Sequence, residues 1–337
     1  MPRLRRVDCS EPGITRVRRG RGFGYVHEDG TPIEDPDELE RIRGLAIPPA
    51  WKDVWICLSA NGHIQATGYD DAGRKQYLYH QHWREAQDRA KFQRMEEFAR
   101  ALPGVRHRVE KDLRKREMVR ERALACAVRL LDLGFFRIGG EEYAAGNESF
   151  GLATLRKEHL RLENGEAVFE YPAKSGQHRV HVIADRIVLP TLREMKRRRS
   201  GGAELLAYRN GRAWTDVRST DINEYVKGLA GAEYSAKDFR TWNATVLAAV
   251  SLGTNESVPT SKTARKRVAT EATKRVAEYL GNTPAVCRSA YIDPRVFDRF
   301  DSGETIHGAI QRIARDVEPG EFPQRERIES AVLRLIG

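Results

Sequence analysis

No two of the four cysteines, Cys9, Cys57, Cys126 and Cys287, have the close spacing of a zinc site or a redox motif, so free thiols in a reducing compartment are expected. His80 and His82 form an His-x-His pair, but no nearby Cys, Asp or Glu completes a ligand set, and no metal is expected. No apolar run approaches the length of a membrane span. The stretch from Met1 to Asp8 is basic without a following apolar segment, which argues against a secretory signal and for a cytoplasmic protein. A Walker A loop and a G-x-G-x-x-G fingerprint are both missing; Gly20-Arg-Gly22-Phe-Gly24 has the wrong spacing, so nucleotide-driven chemistry has no support and no cofactor is expected. Internal repeats and low-complexity linkers are absent too.

What is present is charge of one sign in excess. Lys plus Arg number 58 against 48 Asp plus Glu, a formal +10, which favours a polyanionic partner through counterion release. With 40% apolar residues over 337 positions the chain is long enough for two domains with proper cores, or one large one.

Residues 1–85 read as mostly β. Phe23-Gly-Tyr-Val26 and Val54-Trp-Ile-Cys-Leu58 are short apolar runs, with turns at Asp29-Gly30 and Asn61-Gly62. Asp35-Pro36 opens a short helix to about Ile42, and Ile47-Pro-Pro-Ala-Trp51 makes a rigid turn. The region closes with Gly73-Arg-Lys-Gln-Tyr77-Leu-Tyr79-His80. On a strand Lys75, Tyr77 and Tyr79 share one face and Arg74 and Gln76 the other. Such a surface suits phosphates and base edges, and equally a solvated edge strand.

From about residue 86 the pattern turns helical. Glu117 to Gly134 carries Leu124, Val128 and Leu131 at helical spacing and predicts a core helix stopped by glycine. Arg137 follows in Phe135-Phe-Arg-Ile-Gly-Gly140, between bulky apolar residues, where pairing with Glu141 or Glu148 is the simplest expectation. A β-meander returns between Leu155 and Ile183, with turns at Asn164-Gly165 and Ser175-Gly176-Gln177; Lys174 sits at the tip of the second hairpin. Helices follow over 187–199, 221–229, 236–252, 260–280 and about 325–336. In the third, Lys237 and Arg240 lie one turn apart on one face.

The 260–280 pattern stops at Gly281, and Thr283-Pro284 caps and opens a short new helix. That helix carries Tyr291 before Asp293-Pro294 breaks it. Arg137, Lys174, Lys237-x-x-Arg240, Asn282 and Tyr291 occur in an order that closely resembles the small type IB DNA topoisomerases of poxviruses and bacteria. The resemblance covers nearly the whole chain, including Ile47-Pro-Pro-Ala-Trp51, Gln65-Ala-Thr-Gly-Tyr-Asp70, Gly73 to Tyr79, Phe136-Arg-Ile-Gly139, Lys174-Ser-Gly176 and Lys237-Asp-Phe-Arg-Thr-Trp242.

The resemblance implies an α+β protein: a small β-rich N-terminal DNA-binding domain, residues 1–85, and a larger, mainly helical catalytic domain, residues 86–337, that resembles tyrosine recombinases and contains a small β-meander, with double-stranded DNA clamped between the two. It implies relaxation of supercoils, without ATP or metal, through a 3′-phosphotyrosyl intermediate. Tyr291 matches the nucleophile, Arg137 and Arg240 the two catalytic arginines, and Lys174 the hairpin lysine that protonates the leaving oxygen. Gln76, Tyr77 and Tyr79 match a major-groove strand, Arg74 and Lys75 fit phosphates, and Lys237 is expected to contact DNA. Where many relatives have histidine this chain has Asn282, which donates hydrogen bonds but does not titrate. A monomer suffices for this chemistry. A tyrosine recombinase shares the residue set, but commonly has His-x-x-Arg where this chain has Lys237-x-x-Arg240 and lacks the β-rich module. A non-catalytic DNA binder on the same fold predicts binding without a covalent adduct.

Overall fold

The computed structural model describes residues 3–141, 146, 148–255, 257–316 and 325–337. The chain divides into two units, Met1–Gln93 and Arg94–Gly337. Each has its own buried core.

The first unit is an antiparallel sheet of β1 (Ile14–Arg19), β2 (Gly22–Val26), β3 (Lys52–Ile56), β4 (Ile64–Tyr69) and β5 (Lys75–Tyr79), in the order β2-β1-β3-β4-β5. Helix α1 (Pro36–Gly44) is capped by Asp35, whose carboxylate accepts from the Asp37 amide at 3.0 Å. Ile42 of α1 joins Ile14, Val54, Ile56 and Ala66 in the core. Alternation along β5 leaves Lys75, Tyr77 and Tyr79 in solvent, and the Tyr77 and Tyr79 rings stack at 6.0 Å between centroids. Arg74 precedes the strand, and its side chain and that of Gln76 both donate to the Asp70 Oδ2 at 2.9 Å.

Helix α2 (Gln81–Leu113) starts five residues before the change of character predicted at residue 86 and runs through the division at Gln93. In the second unit α3 (Arg120–Leu133) is the central helix, buried from Ala123 to Val128 and again at Leu130 and Leu131. It packs against α4 (Leu189–Arg197), α5 (Ser219–Ala230), α6 (Ala236–Gly253) and β9 (Ala207–Asn210), which forms a hairpin with β10 (Ala213–Asp216). The hairpin was not apparent from the sequence, because its strands are only four residues long. The meander is β6 (Leu160–Glu163), β7 (Glu166–Ala173) and β8 (Gln177–Ile183). Asn164 (φ 51°) and Gly165 (φ 79°) form its first turn, both in the left-handed region that Asn-Gly favours.

The remaining helices are α7 (Lys262–Leu280), α8 (Pro284–Ala290), α9 (Pro294–Asp301), α10 (His307–Arg315) and α11 (Arg325–Ile336). Helix α11 is fastened by a buried ion network. Arg106 of α2 holds Asp132 at 2.9 Å and Glu329 at 2.7 Å, while Arg325 donates to the Asn243 carbonyl oxygen at 2.6 Å. Asp132 is the penultimate residue of α3, so the network anchors the point from which the Arg137 loop departs. None of the described helices is long and apolar enough to cross a membrane.

Candidate active site

The site assembles at the C-terminal end of α7. The last four carbonyls of an α-helix have no partner within the helix and carry the negative end of its dipole. Gly281 ends α7 in the left-handed conformation (φ 61°, ψ 47°), and the chain then turns into Asn282. Three arginines from three other elements donate to the carbonyls left there. Arg179 of β8 reaches those of Glu278, at 2.9 Å, and Tyr279; Arg240 of α6 reaches Leu280 at 2.9 Å; Arg137 reaches Gly281 at 2.7 Å. Among the described residues no carboxylate pairs with any of the three. The pairing of Arg137 with Glu141 or Glu148 is not what forms: Glu141 instead accepts from the Ser219 amide and hydroxyl.

Arg137 and Arg240 meet on one atom. The Asn282 Oδ1 accepts from Arg137 at 3.0 Å and from Arg240 at 3.1 Å. The amide thus separates and aligns two like charges. Arg240 is only 4% exposed, donates further to the Phe135 carbonyl, and has its Nε buried without a hydrogen-bond partner. Burial pulls its guanidinium down to about 10; Tyr291 works the other way, and Arg137 adds to the lowering. The group still carries its charge at neutral pH.

The Arg137 loop is held by its backbone. Phe136 is fully buried, edge-on to Phe169 at 5.1 Å and 4.4 Å from the His181 ring. The Arg137 carbonyl accepts from the Leu152 amide at 2.8 Å and that of Ile138 from Ala153 at 2.8 Å. The chains touch there: a Cβ on Gly151 would stand 2.4 Å from the Gly139 Cα.

Thr283 caps α8, its hydroxyl accepting from the Val286 amide at 3.3 Å. Tyr291 is the residue just beyond α8, not within it (φ −129°, ψ −27°), and Asp293-Pro294 starts α9 as well as ending the previous turn. The Thr245 hydroxyl accepts from the Asp293 amide at 3.1 Å and shares its proton between the Thr241 carbonyl at 3.0 Å and the Tyr291 carbonyl at 3.4 Å. Asp293, 1% exposed, is gripped by Arg295, which also reaches Glu96. These contacts hold the Tyr291 ring 5.5 Å from the Arg240 guanidinium carbon.

Lys174 begins the turn between β7 and β8 and is exposed. Its hairpin lies against the α7 terminus through Gln177 and Arg179; a Cβ on Gly281 would stand 2.8 Å from the Gln177 Oε1 and 2.9 Å from the Arg179 Nη1. Lys237 and Arg240 part company, because Arg240 turns into the core while Lys237 stays exposed in the first turn of α6. Arg179 was not picked out from the sequence; its signal was the alternation Gln177, Arg179, His181, Ile183, which places polar residues on the same strand face as a buried isoleucine. Around the arginines the dielectric is low. Burial pushes the Tyr171 phenol up to about 12 and the His181 imidazole down to about 4, with Arg179 acting on both.

Residues 80–315 match the sequence model of the family described as eukaryotic DNA topoisomerase I, catalytic core, and residues 22–70 that of the bacterial DNA topoisomerase IB N-terminal domain. The chain belongs to the type IB DNA topoisomerases, a family of enzymes. It is 29% identical to the DNA topoisomerase 1B of Acanthamoeba polyphaga mimivirus over 291 residues, 83% of this chain and 85% of that protein. It is 23% identical over 274 residues, 79% and 82% of the two chains, to the DNA topoisomerase 1B of Vaccinia virus (strain Copenhagen).

Proposed function

We propose that this topoisomerase relaxes supercoiled duplex DNA by cutting one strand through a 3′-phosphotyrosyl intermediate and resealing it. The observation that carries this reading is the pair Arg137 and Arg240, joined through the Asn282 amide beside the Tyr291 ring, with no carboxylate to neutralise them among the described residues.

The Tyr291 phenol gives up its proton to water as its oxygen attacks the scissile phosphorus, the bond from phosphorus to the 5′-oxygen breaks, and that oxygen takes a proton from the Lys174 ammonium, which water restores. One phosphodiester replaces another, so the energy for resealing is kept and ATP is not required. Charge growing on the non-bridging oxygens is met by the two guanidiniums. Asn282 orients the pair and offers its own amide protons. Lys75, Gln76, Tyr77 and Tyr79, with Arg74 and Lys237, hold the duplex, and rotation of the downstream duplex about the uncut strand releases torsion. The enzyme acts as a monomer, in the cytoplasm on nucleoid DNA.

The test is supercoiled plasmid incubated without ATP or magnesium, with wild type and Tyr291→Phe. Relaxation by the wild type, lost in the variant while DNA binding persists, supports the reading. Strand exchange between two sites indicates a recombinase. Binding without relaxation indicates a non-catalytic DNA binder.

A further inference from the structure

We propose that Arg179 is a positioning residue for strand cleavage, acting through Lys174; this rests on the assignment of Lys174 as the proton donor made above. Arg179 and Lys174 lie on the same hairpin, Lys174 at its turn and Arg179 two residues into β8. The guanidinium straddles two successive carbonyls, Glu278 and Tyr279, at the end of α7. Those carbonyls lead straight into Leu280, Gly281 and Asn282, the acceptors of Arg240 and Arg137. Arg179 therefore ties the hairpin that presents the proton donor to the backbone on which the phosphate-binding arginines are aligned.

Three features fit this role better than a second phosphate ligand. Arg179 already uses both terminal nitrogens on the helix. Gly281 carries no Cβ where Gln177 and Arg179 come in, so the hairpin seats directly on the main chain. The outer face of the same strand, Val180 and Val182, is more than half exposed, so packing on that side does little to hold the hairpin down. A lysine in place of Arg179 offers one ammonium, which lacks the planar fork that spans two carbonyls.

The assay is single-turnover cleavage of a duplex carrying a site first mapped on plasmid DNA. The duplex is made with oxygen or with sulfur at the 5′-bridging position. With oxygen, the departing group needs the Lys174 proton as its bond to phosphorus breaks. With sulfur, it leaves as a thiolate and needs none, because a thiol is several pKa units more acidic than an alcohol. Arg179→Ala is expected to slow cleavage of the oxygen duplex by about 10²-fold, the usual consequence of a displaced catalytic group. DNA affinity should be unchanged. The loss should largely disappear on the sulfur duplex, as it should for Lys174→Ala. The double variant should be no slower than Lys174→Ala alone, and Arg179→Lys should fall between wild type and alanine.

Equal losses on both duplexes, or full activity on the oxygen duplex, overturn the proposal while Lys174→Ala still shows recovery by sulfur. If Lys174→Ala itself cleaves the oxygen duplex at the wild-type rate, the assignment of Lys174 falls, and the proposal with it. Melting curves of Arg179→Ala and Arg179→Lys identify a general loss of fold, which would slow both duplexes alike.

Discussion

On β5 the cation and the rings stand in water: Lys75 lies 5.7 Å from the centroid of Tyr77, and Tyr77 and Tyr79 are 42% and 39% exposed. At the end of α7 a cation and a ring meet again, but there Arg240 is buried, 4% exposed, with its guanidinium carbon 5.5 Å from the half-buried Tyr291 ring. Exposed charge is screened and adjustable, which suits holding a duplex that must turn. Buried charge is fixed by carbonyls and amides at known distances, which suits stabilising one arrangement of atoms in a transition state. Under the function proposed above, the contrast separates affinity from rate by environment instead of by residue type.

The contrast is broken most sharply at Arg240. Arg240→Ala should reduce cleavage by about 10²- to 10³-fold in single-turnover assays while DNA retention on a filter changes little. Arg240→Lys should recover only a small part, since an ammonium cannot reach Phe135, Leu280 and Asn282 together. A parallel loss of binding would show that the buried cations serve affinity after all.

Next comes Gly281→Ala. Left-handed backbone costs an alanine about 1–2 kcal/mol, and the added Cβ would push on Gln177 and Arg179. A lower melting temperature and slower cleavage are expected together. The Asn282→Ala variant should cleave more slowly, yet leave the pH profile near neutrality unmoved, because an amide does not titrate. A transition near about pH 6 to 7 that disappears in this variant would sink that reading.

His181 offers a pH test of the buried side. Its folded-state pKa is depressed, to about 4, below its ordinary value. Between those values the unfolded chain binds the proton and the folded one does not, so stability falls as pH drops through that window. The loss is on the order of 3 kcal/mol at most, and His181→Phe should flatten the acid limb of a denaturation series. The smallest effect belongs to the exposed strand: Lys75→Ala should leave stability within about 0.5 kcal/mol. It should weaken DNA binding and lower the salt slope by about one.

Local patterns carried a good deal of this protein. The start of α1 at Asp35-Pro36, the end of α3 at Gly134, the Asn164-Gly165 turn and the cap at Thr283 follow from residues adjacent in sequence, because capping and turn chemistry act over a few positions. The β9–β10 hairpin and helices α9 and α10 were missed, for their runs are short and their apolar faces are completed by distant partners. The contact between the Tyr291 carbonyl and Thr245, forty-six residues away, likewise could not be read from local pattern.

The amino-acid order alone determined which functional groups are available: two arginines, a lysine on a turn, an asparagine and a tyrosine, in a sequence that marks the family. Only tertiary structure decided what each does to the others. Arg137 and Glu141 are neighbours in sequence, yet Arg137 donates to Gly281 and Asn282, 144 and 145 residues on. The physical reason is that the spent end of α7 leaves carbonyls without partners. Those acceptors, not sequence proximity, are what the arginines of three separate elements converge on.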